Sequence, residues 1–264
     1  MLRKTAAAFF ILLLSFSAVY ANEKIIVAAF EYPPIYQNAE NKGLSCEIVT
    51  EAFKAAGVDV DVQFYPVNRM INVVKNGEAV CGIGGSILFS APDIAAEVRV
   101  SEPVQYVVQT FLYDSRKFPE RITFSELKDM SRYRIGVLNG SGIMRFLAKT
   151  PELTLDKNTT HEGSAKQLQL QRIDLWAIVD LTGTKYMKEL FPKEVQYYRY
   201  TKAYNLGDVS VVFSKKLDPD NAYNRRFMKG LAIIKKNGTY MRIMAKYYGS
   251  EKAVNRDSLT ADMR

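Results

Sequence analysis

Ile25-Ile26-Val27-Ala28-Ala29-Phe30-Glu31-Tyr32-Pro33-Pro34-Ile35-Tyr36 runs from an apolar stretch of strand length straight into a proline pair. Proline has no amide donor and fixes its own φ, so strand pairing must stop there. The rings of Phe30, Tyr32 and Tyr36 are thereby left on or beside a rigid loop. In an α/β protein the loop beyond the carboxyl end of the first strand is a favoured place for a small molecule. The stretch therefore predicts a buried strand that ends in a ligand mouth.

Outward from it, Gly43 to Gly57 places Ile48, Val49, Ala52, Phe53 and Ala56 on one helical face, with Ser45 as the expected cap and Gly57 as the stop. Val58 to Tyr65 alternates as a strand does. Arg69 to Lys75 reads as a short helix closed by Asn76-Gly77, and Ala79 to Gly84 as a third strand. The order β-α-β-α-β implies a parallel sheet covered by helices.

A second unit of the same kind follows. Val104 to Tyr113 is a long β-rich run, suited to crossing between two lobes. Arg134 to Leu138 is a strand that turns through Asn139-Gly140-Ser141-Gly142 into a helix from Ile143 to Lys149. Ser164 to Gln171 reads as a helix, Ile173 to Val179 as a strand, Gly183 to Leu190 as a helix and Val195 to Tyr198 as a strand. Val209 to Ser214 is a returning strand, followed by helices from Asn221 to Lys236 and from Tyr240 to Tyr247. No low-complexity tract separates the units, so two lobes joined by short crossings are expected.

Ahead of the opening strand, residues 1–21 carry Arg3 and Lys4, an apolar run from Ala6 to Phe16, and Val19-Tyr20-Ala21. This is the pattern of a secretory signal peptide cleaved after Ala21. The apolar run is short for a membrane span and no cysteine follows the cleavage site, so no membrane anchor is expected. A soluble, monomeric periplasmic protein follows. The net charge of +8 is spread over helical stretches such as Lys235-Lys236 without a dense basic block. Together with export, that argues against a nucleic-acid partner. The two cysteines, Cys46 and Cys81, are too few for a metal cluster, and no cofactor is expected. In an oxidising compartment they leave a disulfide and a pair of buried thiols equally open.

The chain resembles the type II periplasmic solute-binding proteins of the polar amino acid class, family 3, over essentially all of its mature length. Four stretches carry the resemblance: Glu31-Tyr32-Pro33-Pro34; Gly43 through Gly57; Pro66-Val67-Asn68-Arg69 with Asn76-Gly77; and Phe227-Met228-Lys229-Gly230-Leu231 through Lys236-Asn237-Gly238-Thr239-Tyr240 to Tyr247-Tyr248-Gly249. The resemblance implies an α/β, two-lobed fold, each lobe a mostly parallel sheet flanked by helices, with two hinge crossings. Lobe one is placed at 22–107 and 208–264 and lobe two at 108–207, with crossings near Tyr106-Val107 and Leu206-Gly207-Asp208. It further implies capture of a small polar or charged, amino-acid-like solute by lobe closure for an ABC-type transporter, without catalysis. The alternatives are a ligand-sensing subunit of a signalling receptor and a dehydratase-like enzyme on the same fold.

Relatives that bind amino acids hold the carboxylate with an arginine ahead of a Phe-Ser-x-Pro-Tyr-like segment. Here that segment is Val100-Ser101-Glu102-Pro103-Val104, and Ile94 stands near the arginine's place. An isoleucine supplies none of the paired charged hydrogen bonds of a guanidinium fork. Arg69 is the alternative anion partner, beside the reading that it only ties its loop. Asn139 and Ser141, between a strand and a helix, offer amides and a hydroxyl to an anion or carbonyl, or else a simple helix cap. Asp180 lies one residue beyond the place where many relatives keep an amine-binding aspartate. Ser86 follows the third strand, where relatives offer hydroxyl and backbone groups. Tyr32, Tyr36 and Phe89 can stack on a ligand and Glu31 can meet a cation. Trp176 reads as core, and His161, in a polar run, as solvent-exposed.

Overall fold

The computed structural model describes residues 23–264. The expected signal peptide lies outside the described residues. β1 (Glu23–Ala29), β2 (Val58–Phe64) and β3 (Cys81–Gly84) are parallel, with β1 in the middle. They are joined by α1 (Leu44–Ala55) and α2 (Val67–Asn76). Successive side chains of a strand point to opposite faces, and β1 uses both. Val27 and Ala29 join Phe53 and Phe227 in one buried cluster, while Ala28 joins Met70, Val74 and Val212 in another.

The proline loop ends β1 as expected. It doubles back through a Tyr32–Tyr36 bridge, and its carbonyls at Pro34 and Ile35 accept the Leu44 and Ser45 amides at 2.9 and 3.0 Å. The first turn of α1 is therefore satisfied by backbone. Gly43, at φ 95°, occupies the cap position, where an added Cβ would stand 2.7 Å from the Ile35 carbonyl oxygen. Ser45, expected to cap, is instead buried within the helix and accepts a hydrogen bond from Gln105 Nε2 at 2.8 Å.

The crossing strands are β5 (Gln105–Asp114) and β10 (Asn205–Ser214). Gln105 to Gln109 pairs antiparallel with Asn205 to Val209. Beyond that zone the two diverge. β10 continues against β3 and the short β4 (Val98–Val100), which follows the one-turn α3 (Pro92–Ala95). β5 continues against β8 (Leu175–Val179) and β9 (Tyr198–Tyr200). In the second lobe β6 (Arg134–Leu138) lies between β7 (Thr154–Asn158) and β8, all parallel. The strand path is β2-β1-β3-β10-β5-β8-β6-β7.

α4 (Gly142–Leu147), α5 (His161–Gln169) and α6 (Asp180–Leu190) flank the second lobe. Trp176 is fully buried there with Leu112, Ile178 and Leu168, as its apolar strand pattern predicts. α7 (Ala222–Lys236) returns to the first lobe and packs on α1, and α8 (Thr239–Tyr248) follows. Phe53 meets Phe227 and Phe213 at 5.1 and 6.4 Å between ring centres. A fully buried phenylalanine of this kind contributes about 1.5–3 kcal/mol. The last residues form three short turns, Glu251–Ala253, Arg256–Ser258 and Ala261–Met263. Cys46 and Cys81 are both free thiols in the first lobe's core, so the disulfide alternative gives way to the buried-thiol one. Burial pushes the Cys46 thiol up to about 12 and raises that of Cys81 as well. No helix among the described residues is long and apolar enough to cross a membrane.

Candidate functional site

Tyr32, held by the loop after β1, projects from the first lobe to the second. Its ring meets His161 edge-on, 5.1 Å between centres and 86° between planes. His161 opens α5, where Thr160 caps the helix by accepting the Gly163 amide at 2.9 Å. Behind it stand Tyr186 of α6 at 5.6 Å and Trp176 of β8 at 6.0 Å. The histidine is thus not solvent-exposed, as its polar neighbours suggest, but only 9 % exposed, with neither ring nitrogen hydrogen-bonded. Burial lowers its pKa to about 4, so the imidazole is neutral at pH 7.

Tyr204 joins the same zone from the approach to β10. Its ring lies 4.6 Å from Phe111 and 6.1 Å from Phe146, nearly parallel to the latter, and its buried hydroxyl has no partner. Burial raises the Tyr32 and Tyr204 hydroxyls far above the ordinary phenol range. Both remain neutral donors. Tyr186 is raised by burial first and then by the charges of Glu189, Glu162 and Glu31.

Asp208 of β10, opposite Tyr106 in the crossing zone, is a residue that the sequence marks only as part of a crossing. Its carboxylate accepts the Ser86 amide at 3.0 Å, the Ser86 hydroxyl at 2.9 Å and the Ser210 hydroxyl at 2.8 Å. Ser86 is therefore at the hinge end of the first lobe, held by an acidic group. Gly85 allows the approach, since a Cβ there would stand 3.3 Å from the Asp208 carbonyl oxygen.

The other candidates divide. Ser141 accepts the Met144 amide at 3.0 Å as the cap of α4, and Asn139 is exposed with its amide bonded to the Asn158 carbonyl at 2.7 Å. Glu31 is exposed and accepts the Asn38 amide at 3.1 Å. Arg69 is exposed on α2, its guanidinium 5.8 Å from the Tyr65 ring centre. No salt bridge engages it among the described residues. Tyr36, 4 % exposed, packs on Phe30 at 4.7 Å, and Phe89 is 1 % exposed in the α2 cluster. Both are core side chains, so neither offers a free face for stacking. Ile94 packs against the same cluster.

Asp180 is also engaged, and not with Tyr32 or His161. One carboxylate oxygen accepts the Leu181 amide at 2.7 Å and the other Asn255 Nδ2 at 2.9 Å. Its carbonyl accepts the Tyr200 hydroxyl at 2.8 Å. It lines a cavity of about 500 Å3 between the second lobe and the C-terminal turns, with Thr110, Lys188, Tyr200 and Tyr248. Burial raises its pKa against the opposing pull of Asn255 and Leu181. Among the described residues no group of three or more His, Cys, Asp or Glu could hold a metal ion.

Comparison with known proteins places this geometry. The profile of the bacterial extracellular solute-binding proteins, family 3, matches residues 24–250. No curated protein sequence matches the chain. Among solved structures it is similar to the GluR0 ligand-binding core from Nostoc punctiforme in complex with L-glutamate, with TM-score 0.64, 15% identity, and coverage of 84% of this chain and 98% of that one. It is similar to the substrate-binding protein of an amino acid ABC transporter, with TM-score 0.61, 16% identity, and coverage of 86% and 100%. A histidine kinase sensor domain with similarity to periplasmic binding proteins gives TM-score 0.66, 17% identity, and coverage of 87% and 97%. At these identities the likeness shows the shared two-lobed fold.

Proposed function

Because this chain belongs to the bacterial extracellular solute-binding proteins, family 3, we propose that it captures a small polar or charged, amino-acid-like solute outside the cytoplasm by closing its two lobes, and delivers it to an ABC-type transporter. The observation that carries the reading is Tyr32, which reaches from the first lobe to pack on His161 of the second. A contact of that kind forms only when the lobes approach. We place the lobe boundaries at Tyr106-Val107 and Leu206-Gly207-Asp208, where β5 and β10 pair as the two crossings. Hinge closure about such crossings buries a ligand between lobes. The groups proposed to meet it are Tyr32, Arg69, Glu31 and Ser86 from one side and Ser141 and Asn139 from the other.

The likeness to a histidine kinase sensor domain supports a second reading, in which the same closure signals to a receptor. A thermal-shift screen of amino acids, amines and small carboxylates at pH 7.5 tests capture itself. A solute at a hundred times its Kd stabilises by about 2.7 kcal/mol, which for a chain of this size raises Tm by about 5–10 °C. A screen in which no member moves Tm by more than about 1 °C counts against both readings. Loss of labelled-solute uptake on deletion of the gene favours transport over signalling.

A further inference from the structure

His161 is the chain's single histidine, and it sits where the lobes touch. The groups around it come from four elements. The loop after β1 supplies Tyr32, β8 supplies Trp176 and α6 supplies Tyr186. Its own helix supplies Glu162, which is paired with Lys166 at 2.5 Å. Of the other carboxylates that act on Tyr186, Glu31 is bonded to the Asn38 amide and Glu189 is paired with Lys185. None of these groups accepts a hydrogen bond from the imidazole, whose two nitrogens are buried and unpartnered.

A protonated imidazole carries two N–H donors and a full charge. Burying it here would leave both donors unsatisfied and set the charge at the positive end of α5. The Tyr32–His161 contact therefore tolerates only the neutral ring. Withdrawal of Tyr32 with the first lobe uncovers one side of the imidazole, and water can then solvate the cation.

We propose, on the footing of the closure reading above, that His161 is an acid-sensitive latch: its protonation drives the lobes apart and releases whatever solute they hold. The sign follows from linkage. The closed form binds the proton less tightly than an open form with an ordinary histidine, so closure is weakened as pH falls through the open-form value. With the closed-form pKa lowered to about 4 from the ordinary 6.5, the open-to-closed ratio rises by at most about 20-fold between pH 7 and pH 5, the limit being reached if opening frees the ring fully.

The test needs no ligand. Trp176, the single tryptophan, lies 6.0 Å from the histidine ring, so its emission reports on that ring directly. Emission, radius of gyration by X-ray scattering and far-UV circular dichroism are followed from pH 7.5 to 4.5 for the wild type, His161→Phe and His161→Gln. The latch predicts that the wild type expands with secondary structure intact, at a midpoint between pH 4 and 6.5, while at least one folded variant stays compact. An expansion shared by both variants, or a wild type that does not respond, overturns it. The screen at pH 7.5 separates the two failures. Solute binding without an acid response refutes the latch alone, and acid opening without any bound solute supports the latch while refuting capture.

Discussion

Asn255→Ala cuts the side-chain hydrogen bond that ties the C-terminal turns to Asp180 at the start of α6. The turns are themselves fastened to α7, through Lys235 bonded to Thr260 at 2.8 Å and to Asp262 at 3.0 Å. The segment thus spans from the first lobe to the second. A hydrogen bond to a charged group contributes about 1.5–3 kcal/mol, and its loss leaves an acceptor without its donor. At about 2–4 °C per kcal/mol for a chain of this length, the variant should melt about 3–12 °C below wild type at pH 7. The loss should shrink in acid. Burial raises the Asp180 pKa while Asn255 holds it down. A carboxyl whose folded pKa is raised contributes stability that is full below its unfolded value and is lost as pH rises through the folded one. Removing Asn255 raises the folded value further, so the ionised form costs more at pH 7 while the protonated form is little affected. Calorimetric Tm at pH 7 and pH 4, with Asp180→Asn and the double variant to close the cycle, measures this. An equal loss at both pH values, or a coupling below about 0.5 kcal/mol, would refute the reasoning.

Gly230→Ala should be among the most damaging single changes, because its Cβ would stand 1.8 Å from the Ala52 carbonyl oxygen of α1. Backbone must move, and a loss of about 3 kcal/mol or more follows; a fall in Tm under 2 °C would show that α1 and α7 slide apart freely. Both thiols should resist a thiol reagent in the native protein and both should react in denaturant, since each is buried with a raised pKa; a denatured sample with no titratable thiol would mean that a bridge forms. Arg69→Ala should leave stability within about 0.5 kcal/mol, because the side chain is exposed, while weakening the stabilising solute found by thermal shift about tenfold. Unchanged affinity by calorimetry would return Arg69 to the surface.

The sequence displays those elements whose own side chains carry the pattern. β1, α1 and β6 are legible because apolar residues recur at strand or helix spacing and both ends are marked. β7 is not, since Thr154-Leu155-Asp156-Lys157-Asn158 pairs on one side only, leaves Thr154 and Lys157 exposed and buries the polar Asn158. The burial of His161 is hidden from the sequence for a related reason. Asn158 and Thr160 look like solvent-facing loop residues, yet Asn158 is buried and bonded to Gln167 at 3.1 Å, and Thr160 is the cap of α5. What buries the histidine arrives from the loop after β1, from β8 and from α6, which no local pattern reveals. Asn255 lies 75 residues from Asp180, so spacing around Asp180 carries no sign that its carboxylate is taken.

These occupancies constrain how the proposed solute would be held. Asp180, which the sequence reading places near an amine-binding position, and Asp208 of β10 already accept hydrogen bonds at both oxygens. Diverting either to a ligand would break bonds that position α6 or Ser86. Ile94, near which the resemblance puts a carboxylate-binding arginine, is partly buried and packs against the α2 cluster. Among the described residues, the buried polar atoms near this contact that lack a partner, the Tyr204 hydroxyl and the His161 nitrogens, are neutral. Arg69 is exposed and has no salt bridge among the described residues. Neutral donors select by geometry more than by charge, because a buried polar group left unpaired costs about 1–3 kcal/mol. If a solute is captured there as proposed, recognition should therefore discriminate by the placement of its hydrogen-bonding groups.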